Sequence, residues 1–390
     1  MDTQLITLCQ ELIRQPSLSG REGAVAQFLQ QTMESLGFDQ VQVDAYGSVM
    51  GAFHGSRPGP TVLMDGHIDT VDLSDPAAWT HDPFGGEIQD GKLYGRGASD
   101  MKGSVAAMVL AAARFAETTG RDFAGTVWVS GSVHEECFEG VSCRSISQIT
   151  RPDCVIIGEA TSATLKRGQR GRAEIVVETR GKTCHSSNPE AGHNAVYDMA
   201  AVIPAIQALT PNVHPVLGKG ILELTDIISS PWPGASVVPG LCRATFDRRL
   251  LVGETEESVL AQVEQALAQV KARLPQLDAR AYLARGEAPC WTGETIRAKR
   301  FFPAWLLEED HPLVQKALAG LQSAGLEPKL SHFSFCTNGS HFCGEAGIPT
   351  VGFGPSLERL AHVIDEYIEV EQLELACRGF QGILSALLTD

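Results

Sequence analysis

Positive charge is in short supply: 31 Lys and Arg stand against 47 Asp and Glu, for a formal net charge of −16. Affinity for a phosphate backbone comes largely from basic side chains displacing counterions, so no nucleic-acid partner is expected. Long apolar runs are also missing. The longest, around Val105 to Ala116, falls well short of the roughly 20 residues a membrane-spanning helix needs. No CxxC pair occurs and the ten cysteines are scattered singly, which excludes the disulfide framework of a small secreted domain and fits reduced thiols in the cytoplasm. With no low-complexity tract and no sustained repeat, neither disorder nor a solenoid is expected. The opening MDTQLITLCQELIRQ carries acids and lacks a small-residue cleavage site, so it reads as an amphipathic helix rather than a secretory leader.

What is present is ordinary globular composition over 390 residues, with 43% hydrophobic and 20% charged residues. That length exceeds what one hydrophobic core usually supports, so two compact units are expected. Apolar residues recur at helical spacing from Thr3 to Leu36. Strands of buried type then follow at Thr61–Met64, Thr126–Val129, Cys154–Ile157 and Thr350–Phe353, with an Ala-rich helix at Lys102–Ala116. These predict an α/β fold, a mixed sheet with helices on both faces. Between Arg172 and about Arg285 the order becomes strand Ala173–Thr179, helix Asn194–Leu209, strands Ile221–Ile227 and Cys242–Asp247, helix Thr255–Ala272 and strand Leu277–Leu283. This βαββαβ order is the ferredoxin-like arrangement and predicts an inserted domain over 173–288, the first domain being formed by 1–172 and 289–390.

The candidate chemistry follows the strands. TVLMDGHIDTV runs from an apolar strand into His67 and Asp69, whose i, i+2 spacing puts them on one face, one able to bind a metal and the other to orient it. YGRGASDMKGS places Asp100 after a glycine-rich turn, where it could cap the following helix or bridge two ions. GTVWVSGSV ends in His134-Glu135-Glu136; adjacent side chains diverge, so one acid can bind metal while the other serves as a base. CVIIGEAT ends at Glu159, and the late segment AHVIDEY supplies His362. Each alone is weak, since an acid or histidine at a strand end is more often a surface residue. Together they gather where sites assemble in open α/β sheets.

GHIDTV, RGASDMKG, HEE, IIGEAT, GKTCHSSNPEAGHNA, FDRRL and AHVIDEY, in that order, resemble the dinuclear metallohydrolases that include acetylornithine deacetylase, succinyl-diaminopimelate desuccinylase, aminoacylase and glutamate carboxypeptidase. RGQRGRAEI, NGSHF and IPTVGFGP resemble a branch linked with selenium metabolism. The resemblance implies two divalent ions, zinc by default and cobalt or manganese as alternatives. One would be held by His67, Asp100 and Glu159 and the other by Asp100, Glu136 and His362. It implies that Asp69 orients His67, that Glu135 is the general base for a metal-held attacking water, and that His185 of the insert stabilises the oxyanion, in cis or from a partner subunit. It further implies a homodimer formed through the insert, and a substrate carboxylate gripped by an arginine of FDRRL. Alternation favours Arg249, with Arg248 as a surface charge, and Asn338, Gly339 and Ser340 approach the same end of the substrate.

The implied activity is hydrolysis of the amide bond of an N-acyl amino acid or small peptide with a free carboxylate. An N-carbamoyl amino-acid or ureide amidohydrolase is the alternative within enzymes, and a catalytically silent binding protein the alternative outside them. The glycines around Gly95–Gly103 give neither GxGxxG nor a Walker loop, so no nucleotide site is expected.

Overall fold

A computed structural model describes residues 2–389. The chain divides into two compact units, one formed by 1–169, 287–297 and 305–390, the other by 170–286 and 298–304.

The first unit opens with helix α1 (Thr3–Ile13), whose N-terminus is capped by the Asp2 carboxylate accepting from the Leu5 amide, and helix α2 (Gly23–Ser35). The helical spacing expected from Thr3 to Leu36 is interrupted between them. Pro16 cannot continue a helix, and the segment is instead tied to the chain after His67: the Thr70 amide donates to Ser17 O at 2.8 Å and the Ser17 hydroxyl to Ile68 O at 2.7 Å.

The central sheet has nine strands. In spatial order they are Gln40–Val43, Val49–His54, Ala124–Ser132, Arg57–His67, Cys154–Ile157, Thr350–Gly352, Leu165–Gln169 and Trp305–Leu306, with Leu330–Phe333 also pairing with Leu165–Gln169. The four central strands run parallel and the flanking ones are mostly antiparallel. Alternation along the strands feeds two cores. Val62, Met64, Val127 and Val129 face a large core shared with α1, α2, helix α3 (Gly103–Thr118) and two late helices. Leu63, Trp128 and Val155 face a smaller core with helix α4 (Cys143–Thr150) and Phe342.

The second unit has a five-stranded antiparallel sheet in the order Ile221–Ser230, Leu241–Leu250, Gly171–Arg180, Asp278–Leu283, with Phe301–Phe302 also pairing with Gly171–Arg180. Helices α5 (Ala195–Gln207) and α6 (Glu256–Arg273) share its core, which Ala173, Ile175, Val177, Ala244 and Phe246 line from the sheet. This is the ferredoxin-like βαββαβ order. Two boundary details differ from expectation. Phe301 and Phe302 pair with Ala173 and Arg172 and so belong to this unit. Residues 287–288 belong to the first, together with the segment 289–297 that was expected there, and in it Trp291 Nε1 donates to Gly47 O and the Thr292 hydroxyl to Ala45 O.

Helices α7 (Pro312–Ser323) and α8 (Val370–Leu388) complete the large core. Because the central strands of the first unit are parallel, their carboxyl ends lie along one edge, and the segments carrying His67, Glu135, Glu136 and Glu159 all leave from it.

Candidate metal centre

Asp100 joins the site together. Its Oδ1 lies 2.9 Å from His67 Nε2, and its Oδ2 lies 3.2 Å from His362 Nε2. Glu159 Oε1 is 3.6 Å from the same nitrogen of His67, and Glu136 Oε2 is 2.9 Å from that of His362. The structure thus brings His67, Asp100 and Glu159 together as one group and Asp100, Glu136 and His362 as a second, the donor atoms within each group lying within 4.8 Å of one another. His67, Glu159 and Asp100 are buried or nearly so, whereas His362 is half exposed.

Asp100 does not cap the helix that follows it. Helix α3 starts at Gly103, with Lys102 at the cap position, and both carboxylate oxygens of Asp100 are directed to the histidines. Before it, Gly97 adopts a φ of +84°, where a Cβ would also meet Thr70 Cγ2 at 2.9 Å, so the turn needs glycine. Glu366, in a chain segment 266 residues away, accepts the amides of Ser99 and Asp100 through Oε1 at 2.8 and 3.0 Å and the Arg96 guanidinium through Oε2 at 2.6 Å. Motif reading did not single out Arg96 or Glu366. The signal in the sequence is only an acid four residues after His362.

His67 is oriented differently from expectation. Its Nδ1 donates to the main-chain oxygen of Asp69 at 2.9 Å, while the Asp69 carboxylate is 3.6 Å away. That carboxylate instead accepts the amides of Glu135 and Glu136 at 3.0 and 3.2 Å and the Ser19 hydroxyl at 2.7 Å. Asp69 therefore ties the His67 strand to the segment bearing the two glutamates.

Burial and crowding set the charges. For Glu159, burial and the Asp100 carboxylate push the pKa up to about 8 against the pull of His67. Glu135 is pushed well above the ordinary glutamate value, by burial first and then by Glu159, Glu136 and Glu139, with His67 opposing. The hydrogen bonds to Asp100 and Glu136 raise His362 to about 10. Burial works against a charged His67, but the Asp100 hydrogen bond and the charges of Glu159, Asp100 and Glu135 outweigh it. Burial would likewise raise Asp100, yet the two histidines hold it below the usual carboxylate range. Three carboxylates with two imidazoles form a hard, anionic oxygen and nitrogen set. The crowding is relieved by cations or by protons, and the donor chemistry fits two divalent ions bridged by Asp100. Glu135 Oε1 is buried and has no hydrogen-bond partner.

The other expected site residues fall in two places. His185 and Arg249 are in the second unit. His185 is exposed, and its Nδ1 accepts the Ser187 amide at 3.1 Å. Arg249 is part-buried and its Nε lies 2.8 Å from Asp247 Oδ1. Arg248 is not a surface charge: it is 1% exposed and paired with Glu254, because alternation turns it to the helix side of the strand. In the first unit, Asn338 is 2% exposed and its amide is engaged by interior partners, contrary to a substrate-facing role. Gly339 lies against the Trp305 ring and Ser340 is buried. His341 is nearly buried. Its Nδ1 is 2.9 Å from Glu345 and its Nε2 2.8 Å from the Ser147 hydroxyl.

Residues 63–386 match the model of peptidase family M20/M25/M40. The Escherichia coli (strain K12) protein YgeY is 35% identical over 387 residues, covering 97% of this chain and 94% of its own length. A succinyl-diaminopimelate desuccinylase of Cereibacter sphaeroides is 31% identical over 400 residues, covering 98% and 99%. Among solved structures, a tripeptidase from Staphylococcus aureus matches with a TM-score of 0.75 at 18% identity, covering 99% of this chain and 98% of its own. The Bacillus subtilis YXEP protein, described as a dinuclear metal-binding peptidase, matches at 0.71 and 15%, covering 98% and 96%. At such identities the structural likeness speaks for the fold alone. The family match extends over most of the sequence and includes every proposed ligand from His67 to His362: the chain belongs to peptidase family M20/M25/M40.

Proposed function

We propose that this protein hydrolyses the amide bond of an N-acyl amino acid or small peptide bearing a free carboxylate. The observation that carries the reading is Asp100 facing His67 with one oxygen and His362 with the other, beside a buried Glu135 whose Oε1 has no partner. The names desuccinylase and tripeptidase among the relatives share amide cleavage, which supports the same chemistry.

His67, Asp100 and Glu159 would hold one ion and Asp100, Glu136 and His362 the other, with zinc the default. When bound, the pair would supply Lewis acidity, making the attacking water easier to deprotonate and the scissile carbonyl more electrophilic. Glu135 is the proton carrier. Its raised pKa and unpaired oxygen suit a group that takes a proton from the nucleophile and returns it to the leaving amine. Asp69 fixes where Glu135 sits by holding its amide. In neutral His185 the acceptor role of Nδ1 leaves the proton on Nε2, so that nitrogen is the donor suited to a developing oxyanion. Arg249 is the candidate for the substrate carboxylate.

The second unit supports a homodimer. Its free edge strand exposes Ile227 and Ile228 at 49% and 50%, and Tyr197 and Trp232 stand out at 76% and 75%. Sedimentation equilibrium should then give twice the 41.8 kDa chain mass, and a monomer at micromolar concentration would remove the dimer from the reading. No helix among the described residues is long and apolar enough to cross a membrane. Ten cysteines scattered singly, with no CxxC pair, suit a cytoplasmic setting.

The deciding experiment is direct. Protein loaded with two equivalents of zinc, cobalt or manganese is tested against N-acyl amino acids, dipeptides and tripeptides, with amine release as the readout. Turnover of at least one carboxylate-bearing amide is expected. No cleavage with any metal across the set would sink the assignment.

A further inference from the structure

We propose that Asn338 and Asp65 are a positioning pair that holds the Glu135–Glu136 loop in register with the His67 strand, Asn338 acting through this pair rather than by touching substrate. The kinetic consequences rest on the hydrolase reading above; the geometry does not.

The loop leaves the Ala124–Ser132 strand, carries both glutamates and re-enters regular structure at Cys143. Its near end is held by the Asp69 carboxylate through the amides of Glu135 and Glu136. Its neck is closed by the Ser142 hydroxyl donating to Val133 O at 2.7 Å. At the far end the Gly140 amide donates to Asn338 Oδ1 at 2.8 Å. Asn338 is in turn fixed from behind. Its Nδ2 donates to Asp65 Oδ2 and to Ser132 Oγ, both at 2.9 Å, and Asp65 Oδ1 accepts the Ser130 hydroxyl at 2.5 Å. Asp65 is fully buried and lies two residues before His67 on the same strand and face. A chain of two side chains, Asp65 and Asn338, braced by Ser130 and Ser132, therefore connects the strand that presents His67 to the loop that presents Glu135 and Glu136.

Two details give this chain little slack. Gly140 has a φ of +83°, and a Cβ there would lie 2.8 Å from His341 Cβ and 2.9 Å from His341 N, so the loop abuts the 338–341 segment directly. Both N–H groups of the Asn338 amide are also spent on interior acceptors. Recognition of a substrate carboxylate needs a donor, and this side chain has none left.

The pair can be tested by exchanging its roles. N338D keeps the acceptor for Gly140 but sets a second carboxylate against Asp65. D65N leaves one acceptor oxygen where there were two, so Asn338 Nδ2 and the Ser130 hydroxyl compete for it. In the double variant D65N/N338D the new amide at 65 donates to the new carboxylate at 338. Gly140 keeps its acceptor, and the Ser130 hydroxyl can still donate to the residue at 65.

Three quantities are measured on the full chain: metal affinity by competition with a chromophoric chelator, kcat and KM on the best amide substrate, and Tm. N338D is expected to lose about tenfold or more in affinity for the more weakly held ion and about 10–100-fold in kcat, the range seen when a partner behind a metal ligand is removed. KM should change little, and D65N/N338D should recover most of both losses. Wild-type metal affinity and kcat in N338D would overturn the proposal. A large rise in KM with unchanged affinity, not rescued by D65N, would also overturn it and assign Asn338 to substrate. If N338D does not fold, the double variant decides, wild-type affinity supporting the pair and lost affinity rejecting it. If the wild-type protein cleaves no amide, the chelator competition alone still separates these outcomes, so failure of the activity and failure of the pair are distinguishable.

Discussion

Glu135 and Glu136 are neighbours in sequence, yet their surroundings assign them different work. Glu136 lies against His362 at 2.9 Å and completes a donor group, whereas Glu135 is buried with one oxygen unpaired. Glu135→Gln keeps the shape and removes the titrating oxygen. It should leave two ions bound, by elemental analysis, while kcat falls by about 10²–10⁴-fold, the usual worth of a positioned acid–base group. Loss of metal together with activity would instead make Glu135 a ligand. The candidate donors were readable from sequence because most follow an apolar strand, and strand ends are recognisable from composition. The residues that hold them were not. Ser19, Asp65, Arg96 and Glu366 make bonds to partners tens to hundreds of positions away, and nothing local distinguishes a buried Glu366 from the surface acids that surround it in the sequence.

At the level of elements, the inserted βαββαβ order was legible from alternation and helical spacing, and so was the principle that neighbouring arginines of FDRRL face opposite sides of the strand. Alternation alone does not say which side is covered, so Arg248 is buried against Glu254 where a surface charge was expected. On the opposite face of the same sheet, Glu178 is fully buried and takes Arg180 at 2.9 Å, Arg243 at 2.8 Å and Arg280 at 2.7 Å. Burial alone would raise its pKa, but the three guanidiniums hold it down to about 2. A depressed acid contributes stability that is fully present above its unfolded value of about 4.5 and is lost as pH falls towards 2. The arginines are about half exposed, which screens the gain to about 1–2 kcal/mol. Glu178→Gln should therefore lower Tm at pH 7, and the gap from wild type should shrink by more than half between pH 5 and pH 3. A gap that stays constant with pH would mean that packing, not charge, makes the contribution.

For the whole molecule, length and the change of texture after Arg172 predicted two units. The return connection was harder to place, because Phe301 and Phe302 rejoin the inserted sheet beside Ala173 and Arg172, about 130 positions earlier. The first unit gathers His67, Asp100, Glu136, Glu159 and His362 from five separate segments, so an ion bound there would join most of that unit's parallel sheet. Ions that bind only the folded state stabilise it by mass action, about 2.7 kcal/mol per site at a free concentration a hundred times Kd. Two sites sharing Asp100 would together raise the melting temperature by about 5–10 °C for a unit of this size. Chelation should reverse that rise, and readdition of zinc should restore it. Asp100→Asn, which weakens both groups at once, should melt near the chelated wild type and gain little from added zinc. Equal melting temperatures for loaded and chelated wild-type protein would show that the five residues do not hold ions together, and the hydrolase reading would lose its foundation.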